Sequence, residues 1–201
     1  MIELDNLKRR LIGKKAERGL LIKQLAEAKA DKEETSVKYD NTANARSIVQ
    51  IVAESVQKEI EFQISNLVTT ALASVFPDPY EFKLSFVQRR NKTECDLLFI
   101  KNGKECDPFS ASGGGAIDVA NFALRIAIWS IKKTRGVFLL DEPFRFLSVD
   151  LQEKCSAMMK EISEKLDIQI IMISHLPEII GSADKIYKVE NIKGVSQAKS
   201  L

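Results

Sequence analysis

The 201 residues are 45% hydrophobic and 29% charged, with 30 Lys and Arg against 28 Asp and Glu, which suits a globular chain of one or two domains and leaves a net charge too small to argue for nucleic-acid binding by itself. Cys95, Cys106 and Cys155 are far apart and form no C-x-x-C pair, which excludes a sequence-coded zinc cluster or disulfide framework and points to a reducing cytosol. No uninterrupted apolar run approaches the roughly 18 residues of a membrane span, and the charged start MIELDNLKRR does not look like a secretory signal, so an intracellular, soluble protein without a membrane partner is expected.

From Met1 to about Val75 there is no proline, and apolar residues recur at helical spacing: Leu4, Leu7 and Leu11, then Leu21, Leu25 and Ala28, then Val52, Val56, Ile60 and Ile64. A continuous helix of this length would span roughly 110 Å, more than a compact domain needs, so residues 1–75 read as a helical, coiled-coil-like arm. Lys14 and Arg18 stand where a seam would carry apolar residues, and the polar stretch Thr35–Asn44 leaves open a bend or the loop of a helical hairpin. A surface helix of an ordinary bundle is the alternative.

Phe76-Pro77-Asp78-Pro79 must end the helix, since proline cannot continue it and restricts the residue before it. Residues 76–201 then form a second domain. Phe82, Leu84 and Phe86, and later Leu97 and Phe99, alternate with polar residues around a turn at Asn91-Lys92, which predicts an antiparallel hairpin over 80–101, with Asn102-Gly103 closing its second strand. A helix follows over 115–133, with Trp129 in its core face. The apolar runs Val137–Leu140 and Ile168–Ile173, both read as buried strands, flank a helix over 149–166. This strand–helix–strand unit has the size of a right-handed parallel crossover. Lys185–Glu190 and Val195–Lys199 pair as a terminal hairpin around Lys193-Gly194. The fold class expected is α/β with a partly parallel sheet.

Parallel strands joined by a crossover put their C-terminal ends on one edge, where open α/β folds bind ligands. Here the first strand runs into Asp141-Glu142 and the second into Ser174-His175, so two carboxylates and the sole histidine should converge. An apolar strand ending in Asp-Glu has the form of a Walker B segment, in which the Asp holds Mg²⁺ and the Glu activates water; solvation of a strand end is the plainer reading. Ser110-Ala111-Ser112-Gly113-Gly114-Gly115 precedes a strong helix, whose N-terminus with flanking glycines can cradle a phosphate. Ser112 could cap that helix or offer its hydroxyl. A flexible loop with an N-cap is the alternative, favoured by Asp118 if it complements the helix dipole from the first turn.

Taken together these segments resemble the C-terminal lobe of ABC-type ATPases. Ser112-Gly113-Gly114-Gly115 is similar to the signature motif, Val137–Pro143 to the Walker B, Ser148-Val149-Asp150 to the D-loop and Ile173-Ser174-His175 to the switch-histidine segment. With a long helix leading into the lobe, the resemblance is to the SMC, SbcC, RecF and RecN branch of DNA-repair ATPases rather than to membrane transporters. It implies Asp141 as the Mg²⁺ ligand, and Glu142 and His175 as catalytic groups, with His175 at the γ-phosphate. It also implies Ser112, Gly113, Gly114 and Gly115 on a nucleotide held by an opposing head, and Asp150 linking the two sites. Gly115 departs from the Gln or Glu usual at the fifth signature position.

A P-loop requires G-x-x-x-x-G-K-[ST], and the sequence has none; Gly13-Lys14-Lys15 lies within helical periodicity and lacks the upstream glycine. The expectation is therefore a C-terminal half-head, either a fragment or a split subunit, completed by a P-loop-bearing lobe from the same or a separate chain. Completed, it would hydrolyse ATP with Mg²⁺ at a composite interface between two heads, a homodimer, in DNA repair or recombination. DNA and a nuclease are the implied further partners, and the location is cytoplasmic, at the nucleoid where DNA is bound. Arg89-Arg90-Asn91-Lys92, and Lys132-Lys133 with Arg135, are local basic clusters able to meet phosphates. The rival reading is a non-catalytic scaffold derived from such a head.

Overall fold

The computed structural model describes residues 2–90 and 92–201; Asn91, expected in the first hairpin's turn, lies outside the described residues. In chain order the elements are α1 (Ile2–Val75), β1 (Glu81–Arg89), β2 (Lys92–Lys101), β3 (Lys104–Cys106), α2 (Pro108–Ala111), α3 (Gly114–Ile131), β4 (Val137–Asp141), α4 (Val149–Leu166), β5 (Gln169–Ile173), β6 (Tyr187–Ile192) and β7 (Val195–Ser200). The fold is mixed α/β, with a long N-terminal helix, one parallel strand pair and two antiparallel sheets. Two compact units divide the chain, residues 1–56 and 57–201.

The first unit is helix from Ile2 onward. Thr35–Asn44 stays helical and does not open into a loop, and its polar side chains serve the helix locally. Lys38 pairs with Glu34 one turn earlier at 2.5 Å, and the Thr42 hydroxyl donates to the Lys38 carbonyl at 2.7 Å. Leu4, Leu7, Leu11, Leu21, Leu25, Tyr39, Val49 and Val56 are all exposed on it.

The second unit holds the core. The division falls inside α1 because its last turns supply Ile64, Val68, Leu72 and Val75, at i, i+4 and i+3 spacing, to a core shared with Phe82, Leu84 and Phe99 of the β-sheet and with one face of α3 and α4. The same turns cover the edge of β1. The side chains of Glu61, Ser65 and Thr69 accept the N–H groups of Phe86, Leu84 and Phe82 at 2.5, 3.0 and 2.9 Å. Four residues of helix rise about 6 Å and two residues of strand nearly 7 Å, so every fourth helix residue meets every second strand residue. An edge that would otherwise invite pairing is thereby closed.

β1 and β2 pair antiparallel with Phe82 opposite Phe99, as the alternation predicts. Asn102-Gly103 ends β2, as expected, and the sheet continues beyond it. Both residues have positive φ, 52° and 73°, which makes a tight turn into a third strand, β3. Lys193-Gly194 does the same between β6 and β7, with φ of 53° and 86°.

β4 and β5 pair in parallel, with Val137 opposite Gln169 and Asp141 opposite Ile173, and α4 crosses between them. Contrary to the reading of two buried strands, the pair is covered on one face only. Leu140 is buried, and Phe138, Ile170 and Met172 pack against the core, while Leu139 and Ile173 are 72% and 65% exposed and Val137 and Ile171 also face outward. A continuous apolar run fits a strand with both faces covered, and here one cover is not supplied by the described residues.

α3 is long and apolar enough on average to cross a membrane by length and composition, although Asp118 and Arg125 interrupt its apolar run. Val119, Ala123 and Ile126 on one face are buried in the core, as a core helix requires. Trp129 is half-buried, edge-on to Phe138 with ring centroids 6.0 Å apart, and its indole N–H is buried without an acceptor.

Candidate functional site

The parallel ladder continues one step beyond β4, where the Glu142 N–H donates to the Ile173 carbonyl at 2.9 Å. Glu142 then turns the chain with φ of 44°, Pro143 follows, and Phe144 turns it again with φ of 64°. Two non-glycine residues in the left-handed region cost about 1–3 kcal/mol each and persist only where the surroundings dictate them. Here Phe144 is fully buried, edge-on to Phe122 of α3 at 5.5 Å. The first turn aims the Glu142 side chain along the sheet edge toward the segment after β5. There its Oε2 lies 2.7 Å from His175 Nδ1.

An ionised carboxylate can only accept, so this contact fixes the proton on Nδ1 and leaves Nε2 for another group. His175 itself is two-thirds exposed and Glu142 one-third, so the pair opens to solvent. Asp141, the last residue of β4, is exposed beside them. The segment carrying His175 is anchored at its root. The Ser174 hydroxyl accepts the Leu176 N–H at 3.1 Å. Further on, the buried Ser156 hydroxyl donates to the Ile179 carbonyl at 2.7 Å and accepts the Ser182 N–H at 3.1 Å.

The glycine cluster divides into two kinds of residue. Gly113 is the N-cap of α3 and is exposed, and a Cβ there would meet nothing within 4 Å. Ser112 does not cap α3; it ends α2 and its hydroxyl donates to the Pro108 carbonyl. Gly114 and Gly115 are glycines for packing: a Cβ at Gly114 would lie 2.7 Å from Phe146 Cβ, and one at Gly115 would lie 3.1 Å from the Phe146 carbonyl oxygen. Gly115 is buried. Only Ser112 and Gly113 are therefore candidates for close backbone approach by an outside group.

The chain segment pressed on those glycines is the one between the Walker B and D-loop likenesses. Asp118 fastens it, accepting the Phe146 N–H at 3.0 Å; it lies beyond the first turn of α3 and is not a dipole partner as expected. Leu147 N–H closes a turn on the Phe144 carbonyl at 3.0 Å, and buried Gln152 donates to the Leu147 carbonyl at 3.1 Å. Sequence reading missed Gln152 and Ser156 and gave Asp118 only the helix dipole, because nothing in their spacing marks which backbone group each will meet. Asp150 is exposed in the first turn of α4, where its charge complements the helix dipole. Of the basic clusters, Arg89 is held by Asp96 through two bonds of 2.7 Å and by Glu94 at 3.3 Å, so its charge is already matched. Lys132, Lys133 and Arg135 are exposed.

No protein-family model matches the chain. The chain is 28% identical over 160 residues to the DNA double-strand break repair Rad50 ATPase of Archaeoglobus fulgidus, a match covering 77% of this chain and 17% of that protein. A shorter stretch of 60 residues is 33% identical to the thiamine import ATP-binding protein ThiQ of Haemophilus influenzae, covering 29% of this chain and 28% of ThiQ. The chain thus spans about a sixth of the Rad50 relative and under a third of ThiQ.

Among solved structures, one from a study of ATP-driven dimerization and DNA-stimulated activation of SMC ATPases superposes with a TM-score of 0.59 at 23% identity, covering 74% of this chain and 88% of that one. The Smc head domain with an extended coiled coil from Pyrococcus furiosus, bound to the C-terminal domain of ScpA, superposes with a TM-score of 0.55 at 21% identity, covering 78% and 40%. The fold is that of an SMC ATPase head. By sequence the chain is similar to part of the Rad50 ATPase, and by fold to the ABC-type heads of SMC proteins.

Proposed function

We propose that this chain is the C-terminal half of an SMC- or Rad50-like head and that, completed by a P-loop-bearing lobe, it hydrolyses ATP at an interface between two heads. The observation that carries the reading is the contact of Glu142 with His175 at 2.7 Å, on the edge where β4 and β5 end. In this arrangement Glu142 accepts a proton from, and orients, the attacking water. His175, its Nδ1 held by Glu142, offers Nε2 toward the terminal phosphate. Ser112 and Gly113 face the nucleotide of the opposing head, with Gly114 and Gly115 keeping the helix start close against the loop that leads to Asp150. Asp150 then reports occupancy from one site to the other.

Mg²⁺ fits the residues present. Among the described residues no group of three or more His, Cys, Asp or Glu side chains gathers to enclose a metal, and magnesium in phosphoryl-transfer sites needs only one or two carboxylates beside waters and phosphates. Asp141 would hold it, and when bound it would neutralise charge on the phosphates. The uncovered apolar face of Val137, Leu139, Ile171 and Ile173 supports a missing neighbour of the kind a P-loop lobe supplies. Coupling to DNA repair or recombination, contact with DNA through Lys132, Lys133 and Arg135, association with a nuclease and a cytoplasmic, nucleoid-bound location follow from the Rad50 likeness.

The test is Glu142→Gln in the completed head. Turnover should fall about a hundredfold or more, with nucleotide binding retained by fluorescent-nucleotide titration. Unchanged turnover removes Glu142 from the chemistry and favours the scaffold reading.

A further inference from the structure

Gln152 and Ser156 are the buried polar residues among those described, 4% and 3% exposed, and both belong to α4. Standing one turn apart, they share a face of the helix. A buried polar group without a hydrogen bond is costly, so what each one meets shows what the fold requires of it. Gln152 donates to the Leu147 carbonyl, in the loop that presents Glu142. Ser156 reaches the other loop, the irregular stretch of residues 174–186 between β5 and β6 that presents His175. A helical serine commonly donates back to its own helix, as Ser130 does to the Ala127 carbonyl at 2.7 Å. The one proton of Ser156 goes instead to the Ile179 carbonyl at 2.7 Å, and its oxygen accepts the Ser182 N–H at 3.1 Å.

Ile179 is in the core, 1% exposed, and lies outside every strand, so the Ser156 hydroxyl supplies the partner that a ladder would give its carbonyl. His175 therefore sits between two fixed points. On one side the Ile173 carbonyl takes the Glu142 N–H at 2.9 Å, and on the other Ile179 is held on α4 by Ser156. Between them the imidazole is two-thirds exposed and meets Glu142 at 2.7 Å. A drift of about 1 Å would break that bond. Lys160, a further turn along α4, also reaches the segment by pairing with Asp184, but that carboxylate is 79% exposed and surface pairs hold little. The buried hydroxyl is the stronger tie.

We infer that Ser156 is a positioning residue for His175. Its hydroxyl holds the segment after β5 on the same face of α4 from which Gln152 holds the loop after β4, so one helix sets the spacing between imidazole and carboxylate. The consequence for phosphate contact rests on the ATPase reading; the placement of the imidazole does not.

The test uses the full chain, in which His175 is the sole histidine and so gives one imidazole signal in long-range proton–nitrogen NMR. At alkaline pH, where an imidazole is neutral, the nitrogen shifts report which of its nitrogens carries the proton. In the unaltered chain Nδ1–H should dominate, because Glu142 accepts from it. In Ser156→Ala the Nδ1–H share should fall about twofold or more, and in Ser156→Cys, which keeps the size but offers only a weak S–H donor, it should fall by less. Met158→Ala removes a buried side chain from a different face of α4, and should lower stability while leaving the share unchanged. Should Ser156→Ala not fold, Ser156→Cys decides by the same measurement. An unchanged share in the Ser156 variants overturns the inference, as does an equal fall in Met158→Ala. A dominant Nε2–H in the unaltered chain overturns it as well, by removing the contact to be positioned. Turnover of the Glu142→Gln head, which decides the ATPase reading, does not enter, so either can fail without the other.

Discussion

Placing a methyl group on Gly114 tests whether the loop before the D-loop is locked to the start of α3. The Cβ of Gly114→Ala would sit 2.7 Å from Phe146 Cβ and 2.9 Å from its Cγ, about 0.7 Å short of the 3.4 Å at which ordinary contact begins. Phe146 cannot yield by rotating, because Cβ moves only with the backbone, and its N–H is held by Asp118 at 3.0 Å. The loop must shift as a unit or the bond to Asp118 must stretch. Overpacking of this kind costs about 1–3 kcal/mol, offset in part by up to ~1 kcal/mol from the better helix propensity of alanine. The net expectation is a loss of about 1–2 kcal/mol by urea unfolding followed by circular dichroism. Phe146→Gly removes each clashing atom, so in the double variant the penalty of Gly114→Ala should vanish and leave a coupling of at least about 1 kcal/mol. Additivity within about 0.3 kcal/mol would refute the contact as the reason for glycine at this position.

The uncovered face of β4 and β5 predicts self-association of the chain on its own, read as a mass above that of a monomer by light scattering; Leu139→Lys with Ile171→Lys should reduce it, and a clean monomer of the unaltered chain would count against a missing lobe. Burial pushes the Cys155 thiol up to about 12, and burial with the nearby Asp96 and Glu61 charges also raises Cys95. Iodoacetamide at neutral pH should therefore react slowly with exposed Cys95 and with Cys155 only after denaturant is added, as intact mass and peptide mapping will show. Hydrogen bonding and the charge of Arg89 hold the Asp96 carboxyl below its usual value. That pair's small contribution is present above the unfolded-state pKa of an aspartate and is lost as pH falls through the lower folded value. The gap in urea midpoint between the chain and Asp96→Asn should accordingly close toward acid pH.

The elements were legible where local chemistry decides them. Proline at 77 and 79 stops α1, two glycine turns build hairpins, and the apolar runs on either side of residues 149–166 become β4 and β5 in parallel. The third strand was missed because Asn102-Gly103 marks a turn equally well whether a strand or a loop follows it. Burial was misread for β4 and β5 because an apolar run reports that both faces will be covered, and is silent on whether the same stretch of chain supplies the cover. At the site, Asp141, Glu142 and His175 could be found because strand ends are predictable. The partners that hold the loops could not: Asp118, Gln152 and Ser156 each serve a backbone group 28, 5 and 23 residues away, respectively.

The glycine cluster shows how one sequence feature can carry two physical requirements. Three consecutive glycines before a helix suggest an anion cradle, yet two of the three are demanded by Phe146 and Leu147 pressing against the helix start. That packing joins the first turn of α3, which bears Ser112 and Gly113 at its entrance, to the same loop whose left-handed turns at Glu142 and Phe144 aim the Glu142 carboxylate at His175. A group drawn to Ser112 and Gly113 from outside would therefore push on the backbone that positions Glu142, with Asp118 as the tie between them. Under the proposed function, Asp118→Ala should leave the Glu142 and His175 side chains in place chemically but loosen that tie. Its effect should then appear in the cooperativity of ATP hydrolysis between the two heads of the completed enzyme, with the turnover of fully occupied heads changed less.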